Sequence, residues 1–331
     1  MKNLAYVRAT TPADAVQRSR TLPNYAFIAG GTNLVDRLKL FLDQPDGLID
    51  IARLDLTDIT PTREGGIRIG ALATNTAVAD HPLIRQQYPL LARAILSGAS
   101  QQIRNRATVG GNLLQRTRCP YYYDLAFACN KRQPGSGCPA IVGINRTHAI
   151  LGASAHCVAV HPSDMSVALA ALDAIVTVES ANGQRQIPFR EFYRLPGTTP
   201  AQETTLADGE LITAVILPPL AFATTGVYLK VRDRAAYSFA IVSVAAAVDR
   251  VGDRIRDCRL ALGGVAPQPW RSREAEAFLR GKTVSPDTLQ HAADLALAAA
   301  QPLTHNGFKV TMAKRALQRA LNISAQGGGL A

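Results

Sequence analysis

The sequence predicts a mixed fold, α+β as a whole with an α/β part at its N-terminus, and three observations support it. Predicted strands and helices alternate strictly over the first fifty residues, which is typical of βαβ units. The middle of the chain instead groups short strand-like runs, such as "AIVTVES" and "GQRQIPF". The last hundred residues open with paired strand patterns and end in helical spacing, as in "FKVTMAKRALQRALN".

The N-terminal part reads as a βαβαβ unit. "AYVRA", "YAFIAGG" and "GLIDI" have strand character. A helix is predicted after the first strand, with Thr11 as its N-cap and Pro12 at its first position. A second helix is predicted in "TNLVDRLKLFL", where Leu34, Leu38 and Phe41 would share one face.

The chain of 331 residues is long enough for two or three domains with separate cores. Pattern changes place the domain boundaries near residues 53 and 220. We therefore expect the first unit at 1–53, a larger unit at 54–220 with an inserted segment at about 115–160, a C-terminal unit of three-stranded sheet and helices at 221–323, and a flexible tail at 324–331.

The composition is that of a globular protein, with 47% hydrophobic and 18% charged residues. The net charge of +11 comes from scattered basic residues, which suits an acidic partner subunit or an ordinary solvated surface better than nucleic acid. No apolar run is long enough to span a bilayer. The N-terminus lacks a signal-peptide pattern, so the chain alone is expected in the cytoplasm unless a partner carries the export signal.

Two polar diglycine turns are candidate binding loops. "IAGGTN" joins a predicted strand to a helix, and Gly30 and Gly31 would let a ligand approach the backbone closely. Backbone N–H groups there could bind a pyrophosphate, although one such motif is more often only a tight turn. "ATVGGN" repeats the pattern with Thr108, Gly110 and Gly111. Two such loops in adjacent units favour a ligand held between them.

Two charged positions are candidates for the same ligand. Asp164, in "HPSD", could accept hydrogen bonds from ribityl or ribose hydroxyls, or belong to a helix N-cap with Ser163. Lys230 and Arg232 lie at a strand end, where they could offset phosphate charge or simply be solvated.

Four of the five cysteines fall within a short span, with the spacing C-x₉-C-x₈-C-x₁₈-C. They are Cys119, Cys129, Cys138 and Cys157, whereas Cys258 has strand spacing and is expected to be a packed thiol. Disulfides, a zinc site, unligated thiols and a [4Fe–4S] cluster are the alternatives. The spacing disfavours zinc, and the surrounding glycines, with Lys131 and Arg132, suit an anionic cluster.

Longer stretches resemble a known family. "FIAGGTNLVD", "IRNRATVGGNLLQRTRCPYYYD", "CNKRQPGSGCPA", "HCVAVHPSDM" and "LKVRDRAAYSFAIVSVAAA" are similar to the FAD-binding subunit of the xanthine dehydrogenase/molybdenum hydroxylase family. The likeness is greatest to the medium subunit of bacterial periplasmic aldehyde oxidoreductases, which carries a [4Fe–4S] cluster besides FAD. Xanthine dehydrogenases lack the cysteine segment.

The resemblance implies a vanillyl-alcohol-oxidase-like (PCMH-type) FAD domain, followed by a domain like the C-terminal part of the CO dehydrogenase flavoprotein. It also implies particular ligands. The FAD residues would be Phe27, Ile28, Ala29, Gly30, Gly31, Thr32, Asn33, Leu34, Thr108, Gly110, Gly111, Asn112, Asp164, Ile212 and Lys230. Tyr237 or Phe239 would lie near the isoalloxazine. The cluster ligands would be Cys119, Cys129, Cys138 and Cys157.

The resemblance further implies a heterotrimer without catalytic residues on this chain. A large subunit would hold the molybdenum cofactor and a small subunit [2Fe–2S] clusters, while FAD here would pass electrons to an external acceptor. Export to the periplasm with a signal-bearing partner would follow. The alternatives are a 4-hydroxybenzoyl-CoA reductase-like enzyme, in which electrons flow towards molybdenum, a stand-alone flavin oxidoreductase, and a zinc-stabilised interaction module.

Overall fold

The computed structural model describes residues 2–328, which form three units that are each built around one sheet. The first unit consists of strand β1 (Ala5–Arg8), helix α1 (Pro12–Thr21), strand β2 (Tyr25–Ile28), helix α2 (Leu34–Lys39) and strand β3 (Gly47–Asp50). Its strands are parallel in the order β1-β3-β2. The predicted βαβαβ unit is therefore confirmed.

The two helices of this unit begin and end for local reasons. Thr11 caps α1 by accepting a hydrogen bond from the amide of Asp14 at 3.0 Å, and Pro12 is its first residue, as predicted. Helix α2 ends at Lys39. Phe41 has a left-handed backbone (φ 58°) and an exposed side chain, so the prediction that it shares a helix face with Leu38 is wrong.

The second unit surrounds a five-stranded antiparallel sheet in the order β4-β5-β8-β6-β7. In chain order its elements are β4 (Ile59–Pro61), β5 (Ile67–Gly70), α3 (Asn75–Asp80), α4 (Pro82–Gln87), α5 (Pro89–Ser97), α6 (Gln101–Arg104), α7 (Val109–Leu113), α8 (Pro120–Tyr123), a 3₁₀ turn (Pro139–Ile141), α9 (Asp164–Ala171), β6 (Ile175–Ser180), β7 (Gly183–Pro188), α10 (Phe189–Phe192) and β8 (Leu211–Leu217).

Helix α9 lies at the centre of the molecule. Nearly all of its residues are buried, because it packs against α5 on one side and against the third unit on the other. A helix that is apolar all round is expected in such a fully enclosed position. Ser163 caps it by accepting from the amide of Ser166 at 3.0 Å, which places Asp164 in the first turn, at the junction of the units.

The third unit contains a 3₁₀ turn (Ala223–Thr225), β9 (Val227–Val231), β10 (Val242–Val251), β11 (Arg254–Gly263), β12 (Trp270–Arg271), α11 (Arg273–Leu279), α12 (Pro286–Ala296) and α13 (Phe308–Ala325). Its antiparallel sheet has the order β12-β11-β10-β9. The predicted three-stranded sheet thus has a fourth strand, β12, whose two residues are too few to leave a strand pattern in the sequence.

The C-terminal end is ordered further than predicted. Helix α13 runs to Ala325, and Ser324 is buried, donating to the carbonyl of Thr225 at 2.9 Å and accepting from the amide of Val248 at 2.8 Å. The predicted flexible tail at 324–331 is therefore wrong for its first two residues. Its last three, 329–331, lie outside the described residues.

The segment at 115–160 is mostly irregular and joins all three units. Asn33 of the first unit accepts from the amide of Arg116 at 3.0 Å. Lys131 donates to the carboxylate of Glu203 at 2.6 Å, and Asn145 accepts from the amide of His305 at 2.9 Å. Across residues 2–328, no helix combines the length and the apolar character needed to cross a membrane.

Candidate cofactor cleft and cysteine site

A cleft of about 420 Å³ lies where the three units meet. This volume falls within the usual range for small-molecule sites. Its walls include Thr32 and Asn33 from the first unit, Gly111, Asn112, Ser163 and Asp164 from the second, and Lys230, Arg234, Tyr237 and Phe239 from the third. Residues from both diglycine loops, the "HPSD" stretch and the β9 end thus meet around one space.

The first diglycine loop presents unpaired backbone amides beside this cleft. Among the described residues, the amides of Gly31, Thr32 and Asn33 donate to no other group. Successive free N–H groups form a concave anion site. Gly31 has φ 75°, a conformation that favours glycine. The loop therefore has the donors and the backbone freedom that a pyrophosphate requires.

Gly30 has a packing role that the sequence did not predict. A Cβ atom there would overlap the carbonyl oxygen of Arg106, which precedes the second diglycine loop. The missing side chain lets the two loops approach each other, and Gly30 itself does not line the cleft. The first loop consequently depends on glycine for packing as well as for ligand access.

The second loop is the start of helix α7. Thr108 caps this helix by accepting from the amide of Gly111 at 3.3 Å, and the amide of Gly110 donates to the carbonyl of Ala71 at 2.8 Å. Gly111 and Asn112 face the cleft, whereas Thr108 and Gly110 support them from below. The Asn112 side chain accepts from Ser163 Oγ at 2.6 Å, which ties this loop to α9.

The remaining predicted residues support the cleft without lining it. Ile212 is buried in β8 and packs beneath Gly110. Phe27, Ile28 and Ala29 lead into the first loop, and Leu34 opens α2.

Asp164 and Lys230 form a buried ion pair in the cleft wall. Lys230 Nζ lies 2.8 Å from Asp164 Oδ2, and the side chains are 4% and 7% exposed. Tyr228 donates to the other carboxylate oxygen at 2.6 Å. Burial, followed by the nearby Asp164 charge, raises the pKa of Tyr228 well above its usual value, which keeps it a donor.

Sequence reasoning missed several polar residues of the cleft, among them Asn75, Arg104 and Arg118. Asn75 is buried, and its Oδ1 has no hydrogen-bond partner among the described residues; the same is true of Arg104 Nε. Such orphan atoms in a cleft wall are expected where a ligand completes the hydrogen bonds. Arg118 also lines the cleft and stacks on the Phe239 ring at 4.9 Å. Its position, one residue before Cys119, was the only available signal.

The cysteine segment brings its four thiols around one small cavity. Cys119, Cys129, Cys138 and Cys157 all line it, although they are far apart in the sequence. All five cysteines are free thiols, so the disulfide alternative is wrong in this structure. Cys258 lies elsewhere, buried in β11 with its thiol towards the carbonyl of Glu276 at 3.7 Å, as a packed residue.

Three of these thiols, those of Cys119, Cys138 and Cys157, lie in a setting that resists charge unless a cation is bound. Burial raises the pKa of Cys119 to about 12, and the nearby backbone N–H groups of Tyr121 and Tyr122 partly offset the rise. Burial also raises the pKa values of Cys138 and Cys157, again opposed by neighbouring amides. Amides directed at sulfur are a common surrounding of metal-bound thiolates.

Within the described part of the chain, no three His, Cys, Asp or Glu side chains converge as a single-ion site requires. An iron–sulfur cluster needs less convergence, because each thiolate binds a different iron atom. The four cysteines around one cavity are therefore candidate ligands of a cluster, and they do not form a ready-made site for a single zinc ion.

The two predicted cations near the thiols differ in their roles. Lys131 is buried, and its charge lowers the pKa of Cys157, though less than burial raises it. Arg132 instead donates to the carbonyls of Tyr121 at 2.8 Å and Asp124 at 3.1 Å. Arg132 thus orders the loop, and Lys131 supplies positive charge.

The fold and the cleft define a dinucleotide-binding redox subunit, and comparisons with known proteins specify its family. Residues 2–220 match the FAD binding domain in molybdopterin dehydrogenase, and residues 227–323 match the CO dehydrogenase flavoprotein C-terminal domain. The chain belongs to the FAD-binding medium subunits of the molybdenum hydroxylase family. The resemblance inferred from the sequence and the predicted fold class are both confirmed.

Individual relatives show how close the similarity is. The chain is 50% identical to the aldehyde oxidoreductase FAD-binding subunit PaoB of Escherichia coli (strain K12), covering 97% of this chain and 98% of the relative. It is 30% identical to the glyceraldehyde dehydrogenase medium chain of Sulfolobus acidocaldarius, covering 86% and 84%. A solved structure of carbon monoxide dehydrogenase from Hydrogenophaga pseudoflava superimposes with a TM-score of 0.78 at 26% identity, covering 99% of both chains.

Proposed function

We propose that this chain is the electron-transfer subunit of a molybdenum-dependent aldehyde oxidoreductase, with FAD in the cleft and a [4Fe–4S] cluster on the four cysteines. A large molybdenum subunit and a small iron–sulfur subunit would be its partners. The observation that carries the proposal is that one chain contains both the cleft between the three units and a separate cavity lined by four cysteines. The 50% identical aldehyde oxidoreductase subunit supports the substrate class.

The cleft residues fit an anionic dinucleotide. The free amides of Gly31, Thr32 and Asn33 would hold the pyrophosphate. Asn75 Oδ1 and Arg104 Nε, which lack partners among the described residues, would bind polar groups of the ligand. Bound FAD would supply electron transfer in steps of one or two electrons between the partner subunits and an external acceptor.

The protein's own contribution is position and electrostatics. The Asp164–Lys230 pair fixes one wall, and the stacked Arg118 and Phe239 side chains cover another. We assign no general acid or base for aldehyde oxidation to these residues. The chemistry on the aldehyde belongs to the molybdenum subunit in this proposal.

The test is anaerobic co-purification with the partner subunits, followed by flavin, iron and molybdenum analysis. We expect one flavin and about four iron atoms bound to this chain, with aldehyde-dependent reduction of the flavin. Cys129→Ser should lower the iron content, while Cys258→Ser, the packed cysteine, should leave it unchanged. A colourless, iron-free complex would refute the proposal. Full iron content and an unchanged spectrum in Cys129→Ser would exclude that thiol as a ligand.

A further inference from the structure

His148 is held against one thiol of the cysteine site. Its Nε2 atom lies 3.1 Å from Cys119 Sγ, and the residue is 2% exposed. Its carbonyl accepts from Lys309 Nζ of helix α13 at 2.8 Å and from Asn306 Nδ2, just before that helix, at 3.2 Å. The third unit therefore holds the His148 backbone in place.

Which atom donates this hydrogen bond depends on whether the Cys119 sulfur carries a proton. A cysteine that binds a metal is a thiolate, which can only accept hydrogen bonds. The facing nitrogen must then carry a proton, so Nε2–H of His148 donates to the Cys119 sulfur. A hydrogen bond to a ligand sulfur stabilises the more negative, reduced state of a cluster and so raises its reduction potential.

His148 also lines a second cavity. Nδ1 is buried without a hydrogen-bond partner among the described residues, and the same holds for Ser243 Oγ and His161 Nε2. All three residues line one cavity of about 300 Å³, which reaches from Cys119 to Asp164. A cavity of this size has room for several water molecules, each occupying about 30 Å³, and the three unpaired atoms give them hydrogen-bond partners. Water there would complete the hydrogen bonds of His148.

We propose that His148 is a positioning residue of the cysteine site, donating from Nε2 to Cys119 Sγ and accepting at Nδ1 from water in this cavity. The inference rests on the proposed [4Fe–4S] cluster. It concerns a residue between the cysteine site and the cofactor cleft, and it predicts that this residue sets the reduction potential without being a ligand.

The test compares two variants of the anaerobically purified complex, His148→Phe and His148→Gln, by iron analysis and by a redox titration followed by electron paramagnetic resonance. His148→Phe should keep its iron and show a more negative cluster potential. His148→Gln restores an N–H donor, so its cluster potential should lie between those of His148→Phe and the unaltered complex. His291→Ala, at an exposed histidine of α12, is the control and should leave the potential unchanged.

A spectroscopic measurement on the unaltered complex tests the inference even if the His148 variants lose the cluster. With ¹⁵N-labelled histidine, pulsed electron paramagnetic resonance of the reduced cluster should detect coupling to one histidine nitrogen. Absence of that coupling, or an unchanged potential in an iron-replete His148→Phe, overturns the inference. An unaltered complex without iron instead refutes the proposed function, so the two failures are distinguishable.

Discussion

Lys230 donates to Asp164 at 2.8 Å in the wall of the cleft, and the two residues come from different units. Asp164 opens the central helix α9, and Lys230 is in β9. With Tyr228 on its other oxygen, the carboxylate is paired with a cation and held in one orientation. The pair thus joins packing between units to the shape of the cleft.

Breaking this pair should destabilise the protein more than removing both charges. Lys230→Met leaves the buried Asp164 carboxylate unpaired, which typically costs about 3–5 kcal/mol. The double variant Lys230→Met/Asp164→Asn removes the stranded charge and should recover much of that loss. Urea unfolding followed by circular dichroism measures the free energy of unfolding of the native protein, the single variant and the double variant. Equal stability of the single and double variants would contradict a buried, coupled pair.

We predict that no residue with a side chain can replace Gly30, because the second diglycine loop packs directly against it. In Gly30→Ala the new methyl group would overlap the Arg106 carbonyl oxygen, so the two loops must separate. We expect a large loss of bound flavin and a lower unfolding temperature. Gly307→Ala is the matched control, since a Cβ there meets nothing within 4 Å and φ is −57°. Normal flavin content in Gly30→Ala would show that the loops need not touch.

The buried Lys309 side chain should make the free energy of unfolding depend on pH. Burial, followed by the charge of Arg146, lowers its pKa from 10.5 to about 7. Between these values the unfolded chain holds a proton that the folded protein has released, so this residue's contribution to stability increases with pH. Relative to Lys309→Met, the native protein should gain roughly 2 kcal/mol between about pH 7.5 and about pH 9.5.

The measurement is urea unfolding of both proteins at the two pH values. Burial, and to a lesser degree the charge of Lys309, lowers the pKa of His148 to about 4, below this pH range. The difference between the two proteins therefore isolates the lysine. A difference that stays constant or falls as the pH rises would mean that Lys309 remains protonated in the fold.

Ser324 tests the packing of the last helical turn. Ser324→Ala removes the donor to the Thr225 carbonyl and one acceptor of the Val248 amide, and should cost about 1–3 kcal/mol. Asn322→Ala, at an exposed position of the same helix, should have little effect. Thermal unfolding of both variants compares them, and equal midpoints would indicate that this end of α13 contributes little.

Local features of this fold could be predicted from the sequence. Thr11 and Pro12 define the start of α1 because capping depends on adjacent residues. The diglycine motifs and the grouped cysteines were recognisable for the same reason. Phe41 was mispredicted because helical spacing continued after the backbone had turned.

Long-range contacts could not be predicted in this way. Nothing near Asp164 in the sequence shows that Lys230 will neutralise it. Asn75 gave no signal, since its unpaired oxygen is evident only once the cleft is formed. The packing reason for Gly30 likewise depends on Arg106, which is brought to it by tertiary structure alone.

The anchoring of the cysteine segment also has a consequence for biosynthesis. The carbonyls of Thr147, His148 and Ala149 are held by Asn306 and Lys309, which follow them in the chain by 157–162 residues. Translation proceeds from the N-terminus, so all four cysteines emerge long before these anchors exist. The final arrangement of these thiols must therefore await the synthesis of Asn306 and Lys309.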